Sequence, residues 1–530
     1  MSFCPPGLEK LPLEKNQPTG VRWTAACIVL GVLVVRVIYL VWLSPWELVG
    51  DEAYYWEWSR HLDWCYYEKG PGQALLIAPF VKLFGVHEWA VRMPMALLSA
   101  ATAWMLGRLA VNVSGWNERA GLLAVVLFCV TPAFSANAQL CTQDGPMILI
   151  WSALAVGGLK LIRNWEAGGT RLWDWITPAI WMGVGFLFKQ SILLFVLSLI
   201  VYAFVRRKRL AWIGRVAAYI IVGALIVGLF AIPMVIWNAR HGWPTLEHTL
   251  GHLGAGGDHE IDDKSAYSPV KWFFSLLGTE VGAFGPAMLV LSVLACIAAI
   301  RGRRKDDQRW VSRLWMICCA VPSIAFFTGL SLWKEVLGNW PFPSFVTLVV
   351  LVADWGAGEW QRSRERPKTA FAVWWKIAVV YGAAGCVLLA FPNWLTRLPL
   401  SKNAKESILL KMEGHRAHVK ELQAARKLVR AKTGTEPMIV ARYYMVAALD
   451  AFYLEDHPAV FCAGTAFGKR PTAFDFWEDT DLSRPDLRGK PALLDKKVSK
   501  NWGDVLVFER VEDMGEACYL GIRYGGIRKR

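Results

Sequence analysis

Two acidic residues stand side by side in Gly50-Asp51-Glu52-Ala53-Tyr54-Tyr55-Trp56-Glu57-Trp58, directly after a long apolar run. Carboxylates at the mouth of an apolar helix are poorly placed for stability, but low-dielectric surroundings raise their pKa and suit one of them to act as a base. The competing reading is a solvated cap for the next helix, because Asp is common at N-caps. The same stretch carries Tyr66-Tyr67-Glu68-Lys69-Gly70-Pro71-Gly72, and Arg92 follows in Glu88-Trp89-Ala90-Val91-Arg92. Asp144 lies in Thr142-Gln143-Asp144-Gly145-Pro146, and Lys189 sits where two short apolar runs meet, in Phe186-Leu187-Phe188-Lys189-Gln190. Cations beside carboxylates at the ends of apolar helices can bind a phosphate leaving group and move a proton. Each also has a plainer role: Asp144 as an N-cap, Lys189 snorkelling to the interface, Arg92 paired with Glu88 one helical turn earlier.

Four of the nine histidines, His241, His248, His252 and His259, fall close together. His248 and His252 have the i,i+4 spacing that puts two imidazoles on one helix face, as a metal site requires. Asp258 and Glu260 are near in sequence, yet no fixed third ligand is evident. A divalent metal is left open, and no cofactor is certain. The other reading is a loop that orders over a bound lipid phosphate.

These residues must be positioned by membrane helices. Of the 530 residues 55% are apolar and only 19% charged, which excludes a disordered or collagen-like chain. The apolar residues are clustered in runs such as AACIVLGVLVV and AMLVLSVLACIAAI, and a bilayer core needs about 20 such residues per span. The 29 Trp fit an interfacial belt. Eleven spans are expected, at residues 24–43, 89–107, 120–134, 140–161, 173–188, 191–205, 212–236, 282–300, 311–332, 340–355 and 371–392.

Lys10, Lys15 and Arg22 precede the first span and place the N-terminal side inside; no small-residue cleavage site follows it, so a cleavable leader is not expected. The net charge of +15 is concentrated in Arg206-Arg207-Lys208-Arg209, in Arg301 with Arg303-Arg304-Lys305, and in Arg362, Arg364, Arg366 and Lys368. Such short basic loops are retained in the cytoplasm. They account for the charge without a nucleic-acid partner, and an eleven-span chain puts all three inside. Arg36, within the first span, is expected to face the bundle interior or snorkel.

Residues 1–395 thus form a transmembrane domain with outward loops at 44–88 and 237–271. Residues 396–530 form a small α/β domain outside the membrane. Its expected parts are an amphipathic helix at 405–432 and short apolar strands such as 438–441, 459–462 and 505–508. A Cys462–Cys518 bridge is conceivable there but supported by no motif.

The order of these motifs resembles glycosyltransferase family 39, the protein O-mannosyltransferases and bacterial lipid A aminoarabinose transferases of the C-superfamily. The resemblance rests on Asp51-Glu52-Ala53 with Tyr55, on Tyr67-Glu68-Lys69-Gly70-Pro71, on Phe84-Gly85, on Glu88 and Val91-Arg92, and on Thr142-Gln143-Asp144-Gly145-Pro146. Trp237-Asn238 with His241-Gly242-Trp243, Asn339-Trp340-Pro341, Tyr443-Tyr444 and Phe452-Tyr453-Leu454 extend it over nearly the whole chain. Gly70-Pro71-Gly72 departs from the two prolines of many relatives, and Glu68 stands where Asp, His or Ser is frequent.

The resemblance implies inverting transfer of one sugar from a polyprenyl phosphate to a lipid, glycan or protein acceptor at the periplasmic face of a bacterial inner membrane. It casts Asp51 as general base, or as the carboxylate that orients the acceptor, and Asp144 as the second catalytic carboxylate. Lys69, with Arg92 and Lys189, is cast as phosphate or donor contact, Tyr55 and His241 as substrate-binding, and Glu52 as structural or substrate-binding on the acceptor side. Lys334 is a weaker candidate. A polytopic transporter or lipid flippase is the alternative. Transporters tend to carry repeated halves and mid-membrane ionisable groups, whereas here no repeat is visible and the polar motifs crowd one surface.

Overall fold

The computed structural model describes residues 19–210, 214–252, 267–302, 308–365, 370–391, 414–496 and 501–528. Each expected span falls largely on helix where it is described, with breaks at Thr131 within 120–134 and at Gly285 within 282–300, because apolar runs bounded by polar residues favour helix. The number of crossings is a different matter. Among the described residues seven helices are long and apolar enough to cross a bilayer: Gly20–Leu43, Glu88–Val113, Asp144–Glu166, Gly214–His241, Gln308–Leu330, Phe342–Trp360 and Phe371–Ala390. An eighth arises if Pro269–Phe284 and Pro286–Arg301, bent by 94° at Gly285, count as one span. Glu118–Val130 has only 13 residues, about 20 Å of helix, short of a hydrocarbon core of roughly 30 Å. Leu172–Phe186 and Gln190–Arg206 are also short. The lengths therefore do not establish eleven crossings.

The chain divides into two units. The first comprises Met1–Leu43, Met95–Ala231 and Ser268–Ala390. Its core is built where Asp144–Glu166 meets Gln308–Leu330. Trp315 lies so close to Gly158 that a Cβ there would come within 2.2 Å of the indole. The Trp315 indole N–H donates to the Ala155 carbonyl at 2.8 Å, and Trp151 donates to Cys319 at 3.1 Å. Each helix so satisfies the polar edge of the other's large aromatic, as burial demands. Arg36 does face the interior, where it donates to Ser99 Oγ at 2.7 Å.

The second unit comprises Ser44–Pro94, Ile232–Tyr267 and Phe391–Arg530. The stretch read as an outward loop at 44–88 is largely helical, Gly50–Arg60 followed by Gly72–Phe84. The loop read at 237–271 is shortened from both ends, since one helix runs on to His241 and another begins at Pro269. The boundary placed at 395 and the start of the helix expected at 405 lie outside the described residues; the helix itself is seen at His415–Thr433.

The tail is α/β as expected. Strands β1 (Met438–Ala441), β2 (Val460–Cys462), β3 (Ala492–Asp495), β4 (Leu506–Val507), β5 (Arg510–Asp513), β6 (Cys518–Ile522) and β7 (Gly526–Ile527) form a five-stranded sheet, β2-β1-β3-β6-β5, and the pair β4-β7. β1 runs parallel to β2 and β3, and β6 antiparallel to β3 and β5. Cys462 on β2 and Cys518 on β6 are both free thiols. Two strands separate theirs, so the backbones stand about 14 Å apart, beyond disulfide reach.

Candidate functional site

Asp51 occupies the first turn of Gly50–Arg60. Glu52 reaches back to the Val49 N–H at 3.1 Å, satisfying one of the helix's unpaired donors. From Glu52 to Trp58 every residue of this helix is buried, whereas Asp51 is exposed. Asp51 reaches solvent from a crowded position, and that crowding strips enough water to raise its carboxyl above the ordinary value. Lys69 is the strongest opposing influence, followed by further raising from Glu68 and lowering from Arg470. A carboxylate that is accessible, raised and beside a cation suits proton abstraction.

Lys69 is half-buried. Its ammonium donates to Tyr55 Oη at 3.4 Å and lies 5.9 Å from the ring centre. Tyr55 is itself buried and packs edge-on against Trp58 at 5.0 Å. Sequence reading missed Arg470, which pairs with Glu68 at 3.1 Å and lies over the rings of Tyr67 and Tyr444. Tyr54 completes this arrangement, donating to Glu68 at 3.1 Å and accepting from the Ala473 N–H at 2.6 Å. No local signal marks Arg470, which lies about 400 positions from Glu68 in the chain.

Arg92 is paired with Glu52 rather than with Glu88. Its guanidinium is 2% exposed and spent on Glu52, through two hydrogen bonds of 2.9 and 2.6 Å, and on the carbonyls of Trp46 and Glu47. Glu52 is fully buried in the same interaction. Glu88 instead accepts from Arg416 and from Tyr453, whose hydroxyl also accepts from the Leu48 N–H.

His241 is exposed; its Nδ1 lies 2.7 Å from the Trp237 carbonyl, and its ring stacks on Trp237 at 4.2 Å. Trp237 and Asn238 bind this helix end to the loop before Lys69. Trp237 donates to Asp63 at 2.7 Å, and the Asn238 amide donates to Cys65 Sγ at 3.6 Å while its oxygen accepts from the Thr245 N–H at 3.0 Å. His248 is buried against Tyr67. His259, Asp258 and Glu260, with the side chain of His252, lie outside the described residues. Among the described residues no cluster of three or more His, Cys, Asp or Glu could hold a metal ion.

The first unit carries a separate constellation. Asp144 opens Asp144–Glu166 and is 3% exposed. Its Oδ1 lies 3.2 Å from Lys189 Nζ, and its Oδ2 accepts from the Asn339 amide. Lys189 lies 5.9 Å from the centre of the Trp340 ring. The sequence candidates Asp144 and Lys189 are thus brought together, with Asn339-Trp340 as the third contributor. With both oxygens engaged, Asp144 fixes where the Lys189 charge stands.

A model of the dolichyl-phosphate-mannose–protein mannosyltransferase family matches residues 68–237, a stretch that includes Lys69, Arg92, Asp144 and Lys189 and follows Asp51. The lipid A galacturonosyltransferase RgtD of Rhizobium johnstonii is 23% identical over 333 residues, 61% of this chain and 63% of that protein. The undecaprenyl phosphate-alpha-4-amino-4-deoxy-L-arabinose arabinosyl transferase of Pectobacterium atrosepticum is 25% identical over 353 residues, 63% of this chain and 60% of that one. The chain therefore spans about three fifths of the length of the curated relatives it matches. The crystal structure of ArnT from Cupriavidus metallidurans bound to undecaprenyl phosphate superposes with a TM-score of 0.60 at 17% identity, covering 95% of this chain and 98% of that one. The resemblance read from the motifs holds: the protein is a multi-pass membrane protein with that fold, similar to the mannosyltransferase family and to bacterial lipid A glycosyltransferases.

Proposed function

We propose that this protein is a glycosyltransferase of a bacterial inner membrane that moves one sugar, with inversion, from a polyprenyl phosphate to a hydroxyl of a lipid acceptor at the periplasmic face. The observation that carries this reading is Asp51: an exposed acid preceding the buried stretch Glu52–Trp58, its carboxyl raised by desolvation and with Lys69 as its strongest cationic influence. The similarity to transferases that act on lipid A and on a polyprenyl phosphate sugar supports the substrate class.

In the reaction the acceptor oxygen forms its bond to the anomeric carbon while its proton passes to the Asp51 carboxylate. The bond from that carbon to the phosphate oxygen breaks, and the departing lipid phosphate takes the electron pair. Lys69 offsets the charge that develops there. In the first unit Asp144 acts as a positioning residue that holds Lys189. Glu52 and Arg92 hold the entry to the Asp51 helix.

The test is Asp51→Asn in the full-length protein, assayed with purified polyprenyl-phosphate sugar and lipid A. Transfer should fall by about 10²–10⁴ while the protein still binds polyprenyl phosphate. Substantial residual turnover would remove Asp51 as the base.

A further inference from the structure

The helix Pro269–Phe284 buries one stripe, Trp272, Leu276, Glu280 and Phe284, spaced every four residues. Three of these are what a packing stripe needs; the third position in it is a carboxylate. Glu280 retains 7% exposure, and neither of its oxygens has a hydrogen-bond partner among the described residues. An ion so placed is strongly penalised unless something compensates it. Ionisable groups in membrane helices characteristically mark substrate paths.

Its neighbours fix what it faces. One turn earlier, Leu276 clusters with Phe327 and Val336, against Leu194 and Trp340. One turn later, Phe284 stacks on Phe345 at 4.0 Å and meets Phe342 edge-on at 5.1 Å. The adjacent Thr279 lies so close to Gly338 that a Cβ there would come within 2.1 Å of it. The segment 336–345 therefore runs along this face, and its Asn339 and Trp340 are the residues that engage Asp144 and Lys189. Lys189 already has its counter-ion in Asp144. Among the described residues no counter-ion or hydrogen-bond partner meets the Glu280 carboxylate.

We propose that Glu280 is a specificity residue for the donor sugar, whose carboxylate takes the ammonium of an amino sugar and disfavours a uronic acid. The inference rests on the reading of the chain as a polyprenyl-phosphate sugar transferase. A charge-assisted hydrogen bond in a dry site accounts for such selectivity, and a like charge against Glu280 opposes the anionic sugar. If Glu280 were only an odd core residue, an apolar replacement would improve packing and leave ligand binding alone.

The experiment compares wild type, Glu280→Gln and Glu280→Leu in detergent for binding of three probes: bare polyprenyl phosphate, the same lipid carrying an amino sugar, and the same lipid carrying a uronic acid. Wild type should bind the amino-sugar lipid best, and both variants should lose about 10–100-fold for it while binding the bare lipid as before. Unchanged binding of the amino-sugar lipid in Glu280→Gln overturns the proposal, as does a wild type that prefers the uronic acid. Because the readout is binding, it is separable from catalysis. A Glu280-dependent preference without any transfer would retain this inference and defeat the enzymatic reading, and transfer with no such dependence would do the reverse.

Discussion

The guanidinium of Arg92 and the carboxylate of Glu52 meet in a two-pronged pair, Nε to Oε1 at 2.9 Å and Nη2 to Oε2 at 2.6 Å, with both side chains almost fully removed from solvent. Breaking one side of such a pair strands the other charge, at about 3–5 kcal/mol. Arg92→Ala and Glu52→Gln should therefore lower the thermal unfolding temperature in detergent markedly, and Arg92→Lys should not restore it, because an ammonium cannot reproduce the fork. Normal stability of Arg92→Ala with a selective loss of donor affinity would return Arg92 to the phosphate.

Asp51 must be ionised to take a proton, so kcat/KM should fall as pH drops through its pKa. Desolvation sets that pKa above the ordinary 3.8, and Lys69 is the main influence holding it down. Removing the lysine has a consequence beyond weaker phosphate binding: in Lys69→Ala the acid limb of the profile should shift to higher pH. A profile that loses amplitude with its acid limb unmoved would separate the two residues.

The helices were legible because each is a long apolar run, and the Asp51 and Lys69 neighbourhood because their motifs follow one another within twenty residues. For Arg92 helical spacing favours a pair with Glu88, the i−4 neighbour. Its tertiary partner Glu52 prevails by offering two oxygens in a dry site, while Glu88 is engaged by Arg416 and Tyr453. Arg470 and Asn339 reach Glu68 and Asp144 across 402 and 195 positions, a distance at which spacing carries no information. Hydrophobicity marks a helix as buried and its length says whether it can cross alone, so the described helices do not by themselves fix the number of spans.

Lys189 and Asp144 act on one another, so their variants should not add. Lys189→Met and Asp144→Asn should each reduce kcat/KM, and the double variant should fall no more than a few-fold below the worse single one. Independent, multiplying losses would show that Asp144 acts other than by positioning Lys189.

The basic clusters at 206–209, 301–305 and 362–368 orient the chain if they remain in the cytoplasm. An alkaline phosphatase fused behind the tail domain should then be active in whole cells, and one fused after Arg207 should be silent. Activity in the reverse pattern would invert the orientation and remove the periplasmic site.

Glu57 gives the second unit a pH-dependent stability. Its side chain is 2% exposed; Oε1 accepts from Arg60 at 3.0 Å, and Oε2 lies 3.7 Å from His61 Nδ1. Burial pushes its carboxyl up to about 7, against smaller lowering by Arg60 and His61. The folded chain thus keeps a proton that the unfolded chain releases near 4.5, so stability is greatest in acid, declines as pH rises from about 4.5 to about 7, and is level above that. His61 works in the same direction: burial lowers its pKa, but the Asp479 partner at 2.9 Å more than compensates, and its stabilisation is lost as pH rises through the raised value. Asp479, held below its usual range by His61, adds a constant amount across this window and loses it only in stronger acid. In Glu57→Gln the unfolding temperature should vary less between pH 4.5 and 7 than in wild type, with Asp479→Asn removing a further part of the slope toward pH 7. An unaltered slope in Glu57→Gln would mean that the carboxyl is already ionised in the folded protein, and the neighbouring Arg60 and His61 would then have to outweigh its burial.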